Sequence, residues 1–343
     1  MRSVTGYAAP AAGAPLAPWQ FERRDLRPDD VAVRVRYVGV CHTDLHAVED
    51  SPAAEFPLVP GHEFVGEVSA VGSEVTRFAV GDVVAVGNIV DSCGKCDYCL
   101  DSQENYCAEF PTMTYLGVDR RDGLPQRGAY SSEYVVTEKF VYALPDGLDP
   151  AGAAPLMCAG VTTWEPLRRW QIGPGMRVGV VGLGGLGHLA VKFAKALGAE
   201  VTVFTTSPGK EAAARVLGAD DVVVSTDAAA MTDRLGRFDF ILNTVSAKHD
   251  PSPYLRALRG GGTLCMLGIP DRYEPEALAL LIGAKNLAAS GSGGTRRTQE
   301  MLEFCAAHGI TADVEVLPAA EVNTALDRLA RNDVRYRFVL AMD

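Results

Sequence analysis

The segment Gly182-Leu183-Gly184-Gly185-Leu186-Gly187 constrains the fold of this chain more than any other. It is a G-x-G-x-x-G that directly follows the β-branched run 178–181 and directly precedes a helical pattern running to Leu197. In such a loop the first glycine permits a tight turn, the second lets the backbone approach a pyrophosphate, and the third lets the helix pack on the strand. The helix N-terminus then offers N–H groups to the phosphates. The same rhythm continues downstream. Strands are expected at Arg177–Val181, 201–205, Asp221–Val224, 238–244, 262–267 and 286–290, with helices at 186–197 and 210–217. Six short apolar runs with helical patterns between most of them predict a parallel, doubly wound sheet.

The remainder of the 343 residues is organised differently. Residues 1–150 contain short β-branched runs at Asp30–Val40, 63–71 and 82–86, punctuated by Gly61, Gly66, Gly72 and Gly81, which reads as an irregular all-β unit. After Ser290 a helix is expected at 297–308, a strand at 313–317, a helix at 319–331 and a strand at 336–340. A completed six-strand sheet has no place for this tail, so it is expected to rejoin the first unit. The expected divisions are therefore 1–150, 151–289 and 290–343.

Composition excludes several classes of protein. Hydrophobic residues make up 48% and charged residues 22%, the usage of a folded globular chain. The 32 basic and 43 acidic residues leave a net charge of -11, with no positive excess for nucleic acid or an anionic membrane surface. Pro10, Pro15 and Pro18 interrupt the first residues where an export signal would need an unbroken apolar run. No run approaches the ~18 apolar residues of a membrane span. The expected compartment is the cytosol, where eight cysteines are better read as thiols and metal ligands than as disulfides.

Cys93, Cys96, Cys99 and Cys107 form C-x2-C-x2-C-x7-C within the lobe 91–107. Four thiolates this close in sequence can surround one tetrahedral zinc at ~2.3 Å each, and such a closed site is structural. An iron–sulfur cluster also takes four thiolates. Cys41, His62 and Cys158 are dispersed, yet two thiolates and one imidazole are a set that leaves a fourth position on zinc open, as catalysis requires. Cys265 and Cys305 fall outside both sets and read as buried, inert thiols.

Gly61-His62-Glu63 continues to Gly66, Gly72 and Val75 as G-H-E-x2-G-x5-G-x2-V. This resembles the zinc signature of the zinc-dependent medium-chain alcohol dehydrogenases. Cys41-His42-Thr43-Asp44-Leu45-His46, the four-cysteine lobe and Cys158-Ala159-Gly160-Val161-Thr162-Thr163 match the same family in the same order. The pieces look most like its cinnamyl alcohol dehydrogenase branch. The region between Cys107 and Val135 departs most, keeping Thr114-Tyr115 and Gly128-Ala129-Tyr130.

The resemblance implies a GroES-like irregular β domain that carries the catalytic zinc, a Rossmann domain that binds NADP, and a C-terminal segment rejoining the first. It implies Cys41, His62 and Cys158 as ligands of a catalytic zinc, with Glu63 beside it as an exchangeable carboxylate, and Asp44 as acceptor for the second ring nitrogen of His62. A second zinc would occupy the lobe. Thr43 would pass the proton of the reacting alcohol toward His46 through the cofactor ribose, His42 would contact the pyrophosphate, and Thr162 the nicotinamide end. A cation at the alcohol oxygen stabilises its alkoxide, and nicotinamide exchanges the hydride.

Cofactor choice depends on the end of the second strand. A carboxylate there would bind the ribose 2′-hydroxyl of NAD. Thr205, Thr206, Ser207 and Lys210 stand there instead, a set that donates to a 2′-phosphate, and the resembling branch is typically NADP-dependent. The expected activity is an NADP(H)-dependent zinc alcohol dehydrogenase or aldehyde reductase acting on an aromatic or medium-length apolar primary alcohol or aldehyde. Leu45, Met113 and Trp164 are candidate apolar walls. The alternatives are a non-catalytic relative that binds NADP and zinc as a sensor or for structure, and a zinc hydrolase on the same scaffold. Family members are commonly dimers or tetramers, and the strand 286–290 could extend a sheet across subunits.

Overall fold

A computed structural model of the protein describes residues 1–342. The chain forms two compact units, Met1–Val161 with Gly293–Asp343, and Thr162–Ser292.

The first unit is built on a seven-stranded sheet. Its strands lie in the order Val314–Pro318, Arg337–Ala341, Asp30–Val40, Phe64–Val71, Val83–Val86 and Val141–Ala143, with Glu133–Thr137 also paired to Asp30–Val40. Only the first two are parallel; every other pair is antiparallel. Asp30–Val40 is central because its alternation suits a covered sheet. Val31, Val33 and Val35 are buried while Arg34 and Arg36 are exposed. The C-terminal strand lies antiparallel to it with Phe338 opposite Val40, and Phe64 lies opposite Val38. That register brings the residues next to three adjacent strand ends together: Cys41, His62 with Glu63, and Arg337.

An N-terminal hairpin, Arg2–Ala8 with Ala17–Arg23, is an addition that the sequence did not announce. Pro10 and Pro15 lie between its strands, and Pro18 is accommodated because the second strand pairs on one edge only. The segment 151–161 packs with this unit, since the 3-10 turn Ala154–Met157 contacts the strands Asp30–Val40, Phe64–Val71 and Arg337–Ala341.

The second unit is the expected doubly wound sheet. Six parallel strands run in the order Asp221–Val224, Glu200–Thr205, Arg177–Val181, Phe238–Asn243, Leu258–Met266 and Asn286–Ala289. The direction of winding reverses at Arg177–Val181, where ligands of such sheets bind. Gly182 follows it with φ +89°, and a Cβ on Gly187 would stand 2.1 Å from the Gly182 carbonyl oxygen. The helix Gly187–Ala196 begins there without a side-chain cap. Two expected helices are shorter than their patterns: 210–217 is the helix Glu211–Val216 behind a 3-10 turn at Pro208–Lys210, and 319–331 is Val322–Ala330 behind a turn at Ala319–Glu321. Pro208 and Pro318 fix the chain entering those turns. No helix among the described residues is long and apolar enough to cross a membrane.

Candidate active site and metal centres

Cys41 leaves the central strand and caps the helix His42–Asp50. Asp44, one turn in, is fully buried, and each of its oxygens accepts two hydrogen bonds. Oδ2 accepts from the Cys41 backbone N–H at 2.9 Å and the Tyr130 hydroxyl at 3.1 Å. Oδ1 accepts from the Gly61 N–H and from His62 Nδ1, both at 3.0 Å. With its Nδ1 proton directed at Asp44, His62 turns Nε2 outward as a ligand atom. That nitrogen is 3.3 Å from Cys158 Sγ, and the ligand atoms of Cys41, His62 and Cys158 all lie within 4.8 Å of one another.

The three groups perturb one another strongly. The buried Cys41 thiol is held well below its ordinary pKa, mainly by a hydrogen bond from Cys158, whose own thiol is pushed well above. Burial opposes a charge on His62, but Asp44 outweighs it and raises the ring. Tetrahedral sulfur and nitrogen ligands of zinc at ~2.3 and ~2.1 Å stand about 3.5 Å apart, close to the His62–Cys158 spacing. Two thiols and one imidazole fit zinc and leave its fourth position open.

Glu63 is fully buried beside this group, and burial pushes its carboxyl up to about 7 against the pull of Arg337. Arg337 Nη2 donates to Glu63 Oε1, while Glu63 Oε2 has no partner. Gly39 makes room for the carboxylate, because a Cβ there would lie 2.2 Å from Oε1. The Tyr115 ring is tilted against His62 with centroids 5.6 Å apart.

The four-cysteine lobe gathers Cys93, Cys96, Cys99 and Cys107 in the same way. Sulfurs bound at ~2.3 Å in a tetrahedron stand about 3.8 Å apart, and Cys93 and Cys99 are 3.8 Å apart. Backbone N–H groups of Cys93, Cys96 and Ala108 donate to sulfurs of the set at 3.4 to 3.5 Å. A closed set of four thiols fits a structural zinc. The lobe is joined to the C-terminal segment by Glu104, a buried carboxylate that accepts from the Thr295 N–H at 2.8 Å and from Lys139 Nζ at 2.8 Å.

Residues 27–146 match the profile of the alcohol dehydrogenase GroES-like domain, and residues 185–307 that of the zinc-binding dehydrogenases. A probable formaldehyde dehydrogenase of Bacillus subtilis is 49% identical over 93% of this chain and 92% of its own. Among solved structures, a cinnamyl alcohol dehydrogenase of Sorghum bicolor superposes with a TM-score of 0.94 at 44% identity, covering 99% of this chain and 98% of its own. The chain belongs to the zinc-dependent medium-chain alcohol dehydrogenases, in their cinnamyl alcohol dehydrogenase branch. A member from Helicobacter pylori, solved with NADP(H), superposes with a TM-score of 0.91 at 32% identity over 99% of this chain and 98% of its own.

The remaining expected site residues of this alcohol dehydrogenase are distributed as follows. His42, Thr43 and His46 lie exposed on the helix that Cys41 caps, and Thr43 Oγ1 is 3.5 Å from Cys41 Sγ. Thr205 is buried, its hydroxyl accepting from the Ser207 N–H at 3.1 Å, whereas Thr206 and Ser207 are exposed. Lys210 Nζ donates to the Leu183 carbonyl at 3.0 Å, and Thr162 Oγ1 accepts from the Ser292 N–H at 3.2 Å. A Cβ at Gly184 would meet no protein atom within 4 Å, so the loop is open where a pyrophosphate would approach. Trp164 is core, not wall: it is 1% exposed and stacks edge-on with Phe193. Leu45 packs on the first unit's core. Met113 does so too, and borders a hollow of about 390 Å³ with Phe110, Leu116 and Val118. Cys265 and Cys305 are fully buried. Sequence reasoning missed Arg337, whose signal was a charge heading an otherwise apolar strand, and gave Tyr130 no role.

Proposed function

We propose that this alcohol dehydrogenase transfers a hydride between NADP(H) and an aromatic or medium-length apolar primary alcohol or aldehyde. The observation that carries the reading is the convergence of Cys41, His62 and Cys158, a ligand set with an open position, in a chain that also carries the dinucleotide loop. When bound, zinc polarises the substrate oxygen and the nicotinamide carries the hydride. The chain's own residues prepare that step. Asp44 fixes the tautomer of His62, and Arg337 restrains Glu63 beside the ligands, where its unpartnered oxygen is available for exchange. Thr43 gives or takes the proton of the substrate oxygen through Oγ1, and His46, three residues on along the same helix face, connects that hydroxyl to solvent.

The second unit serves as the NADP-binding domain, with residues 182–187 on the pyrophosphate, His42 and Thr162 contributing at the pyrophosphate and the nicotinamide, and the segment from Gly293 completing the zinc-bearing unit. Preference for the 2′-phosphate is supported by the absence of a carboxylate from Thr205 to Lys210, by the exposed hydroxyls of Thr206 and Ser207, and by Lys210 lying against the loop. The aromatic and apolar substrate class is supported by the cinnamyl alcohol dehydrogenases among the similar solved structures. The protein acts in the cytosol, with its thiols reduced. It forms a homodimer through the outer strand Asn286–Ala289, whose neighbours Leu281 and Ile282 are 75% and 62% exposed. The test is a panel of aldehydes with NADPH, followed by loss of nicotinamide absorbance. Aromatic and medium-length apolar aldehydes should exceed charged sugars, and NADPH should exceed NADH about tenfold, the effect of one charge-assisted hydrogen bond. A tenfold preference for NADH would refute the cofactor assignment.

A further inference from the structure

The loop after strand Phe238–Asn243 carries a histidine that the proposed chemistry does not use. Asn243 ends that strand fully buried, and the backbone fixes the orientation of its amide. Oδ1 accepts from the Val245 N–H at 3.1 Å, so Nδ2 is the atom that faces His249 Nε2 at 2.7 Å. The other ring nitrogen, Nδ1, is 2.8 Å from the Ala247 carbonyl oxygen. A carbonyl only accepts, so Nδ1 carries the ring proton and Nε2 accepts from Asn243. His249 is thus neutral with both nitrogens committed, and it closes residues 243–249 into a clasp.

The residues inside the clasp stand on the dinucleotide loop. Thr244 donates from both N–H and Oγ1 to the carbonyl of Val181, at 3.0 and 2.8 Å. A Cβ on Gly182 would lie 2.8 Å from Val245 Cγ2 and 3.0 Å from Thr244 Oγ1. These two side chains therefore form one wall beside the first glycine. The rest of the loop is lightly held, with Ser246, Ala247 and Lys248 exposed.

We propose that His249 is a positioning residue for the dinucleotide: by closing the Asn243–His249–Ala247 clasp it fixes Thr244 and Val245 as the wall against which the cofactor seats. This rests on the NADP(H) reading above. The groups around the ring are Tyr254, edge-on from the helix Ser252–Ala257 at 6.2 Å, and the flanking Lys248 and Asp250, the latter accepting from the Ser252 N–H at 2.8 Å.

The experiment is NADPH affinity of the full zinc-loaded chain, by nicotinamide fluorescence, for wild type, His249→Phe and His249→Gln. His249→Phe should bind about fivefold more weakly, the effect of one neutral hydrogen bond. His249→Gln, whose amide oxygen can take the place of Nε2, should restore the affinity of wild type. Equal affinity of His249→Phe and wild type, or affinity of His249→Gln as low as that of His249→Phe, would overturn the proposal. If His249→Phe fails to fold, His249→Ala takes its place in the comparison. A wild type that binds NADH but not NADPH refutes the 2′-phosphate reading, and the same ratios measured with NADH then judge the clasp.

Discussion

At the scale of single residues, the site turns on who partners the charges. Asp44 is saturated by four donors, and an amide in its place would turn its hydrogens toward one backbone N–H that can only donate and one side chain that now donates to the carboxylate. Asp44→Asn is expected to weaken the catalytic zinc by about ten- to a hundredfold, seen as faster loss of one zinc to a chelator while the lobe keeps its own. Arg337 is the counter-charge of Glu63, both all but fully buried. Arg337→Met should lower stability by about 3 kcal/mol or more, since it strands a buried carboxylate; a denaturant titration with an unchanged midpoint would show that the pair is not needed. The ligands were legible because Cys41, His62 and Cys158 stand in motifs with few other uses for their chemistry. Arg337 was not, since only the pairing of Phe338 with Val40 brings it to Glu63, 274 residues away. Trp164 misled for the opposite reason, as nothing local separates an aromatic lining a pocket from one packed on Phe193.

At the scale of elements, the parallel sheet was readable strand by strand, because buried β runs and glycine turns are local signals. The first unit was readable only as an irregular β region. Its register is set by long-range pairs, and its N-terminal hairpin is disguised by prolines that an edge strand tolerates. The lobe belongs to this scale as well. Helix Thr295–His308 has no side-chain cap of its own, and Glu104 of the lobe accepts from the N–H and the hydroxyl of its first residue, Thr295, instead. Cys96→Ser should therefore do more than release zinc. Amide exchange in the first turn of that helix should quicken, and stability should fall by ~2 kcal/mol or more, the scale of one hydrogen bond to a buried charge. Unchanged exchange there would mean that the lobe and the helix are independent.

At the scale of the whole molecule, the chain leaves the zinc-bearing unit after Val161, builds a complete parallel sheet, and returns at Gly293 to supply the strand that carries Arg337. The surplus of elements after the sixth strand makes such a return an expectation from the sequence, but nothing there signals what the returning strand brings. The exposed Leu281 and Ile282 near the outer strand predict that replacing both with lysine converts a dimer to a monomer in sedimentation without lowering the melting temperature. A monomeric wild type would contradict this.

The central claim is that two separate ligand sets divide the labour, one holding the fold and one holding the substrate oxygen. Cys158→Ser tests it most directly, with bound zinc, thermal melting and NADPH-dependent aldehyde reduction measured on the same sample. The account predicts a folded protein that keeps the lobe zinc, binds NADPH and no longer turns over. Full activity in Cys158→Ser, or collapse of the fold on this substitution, would contradict it.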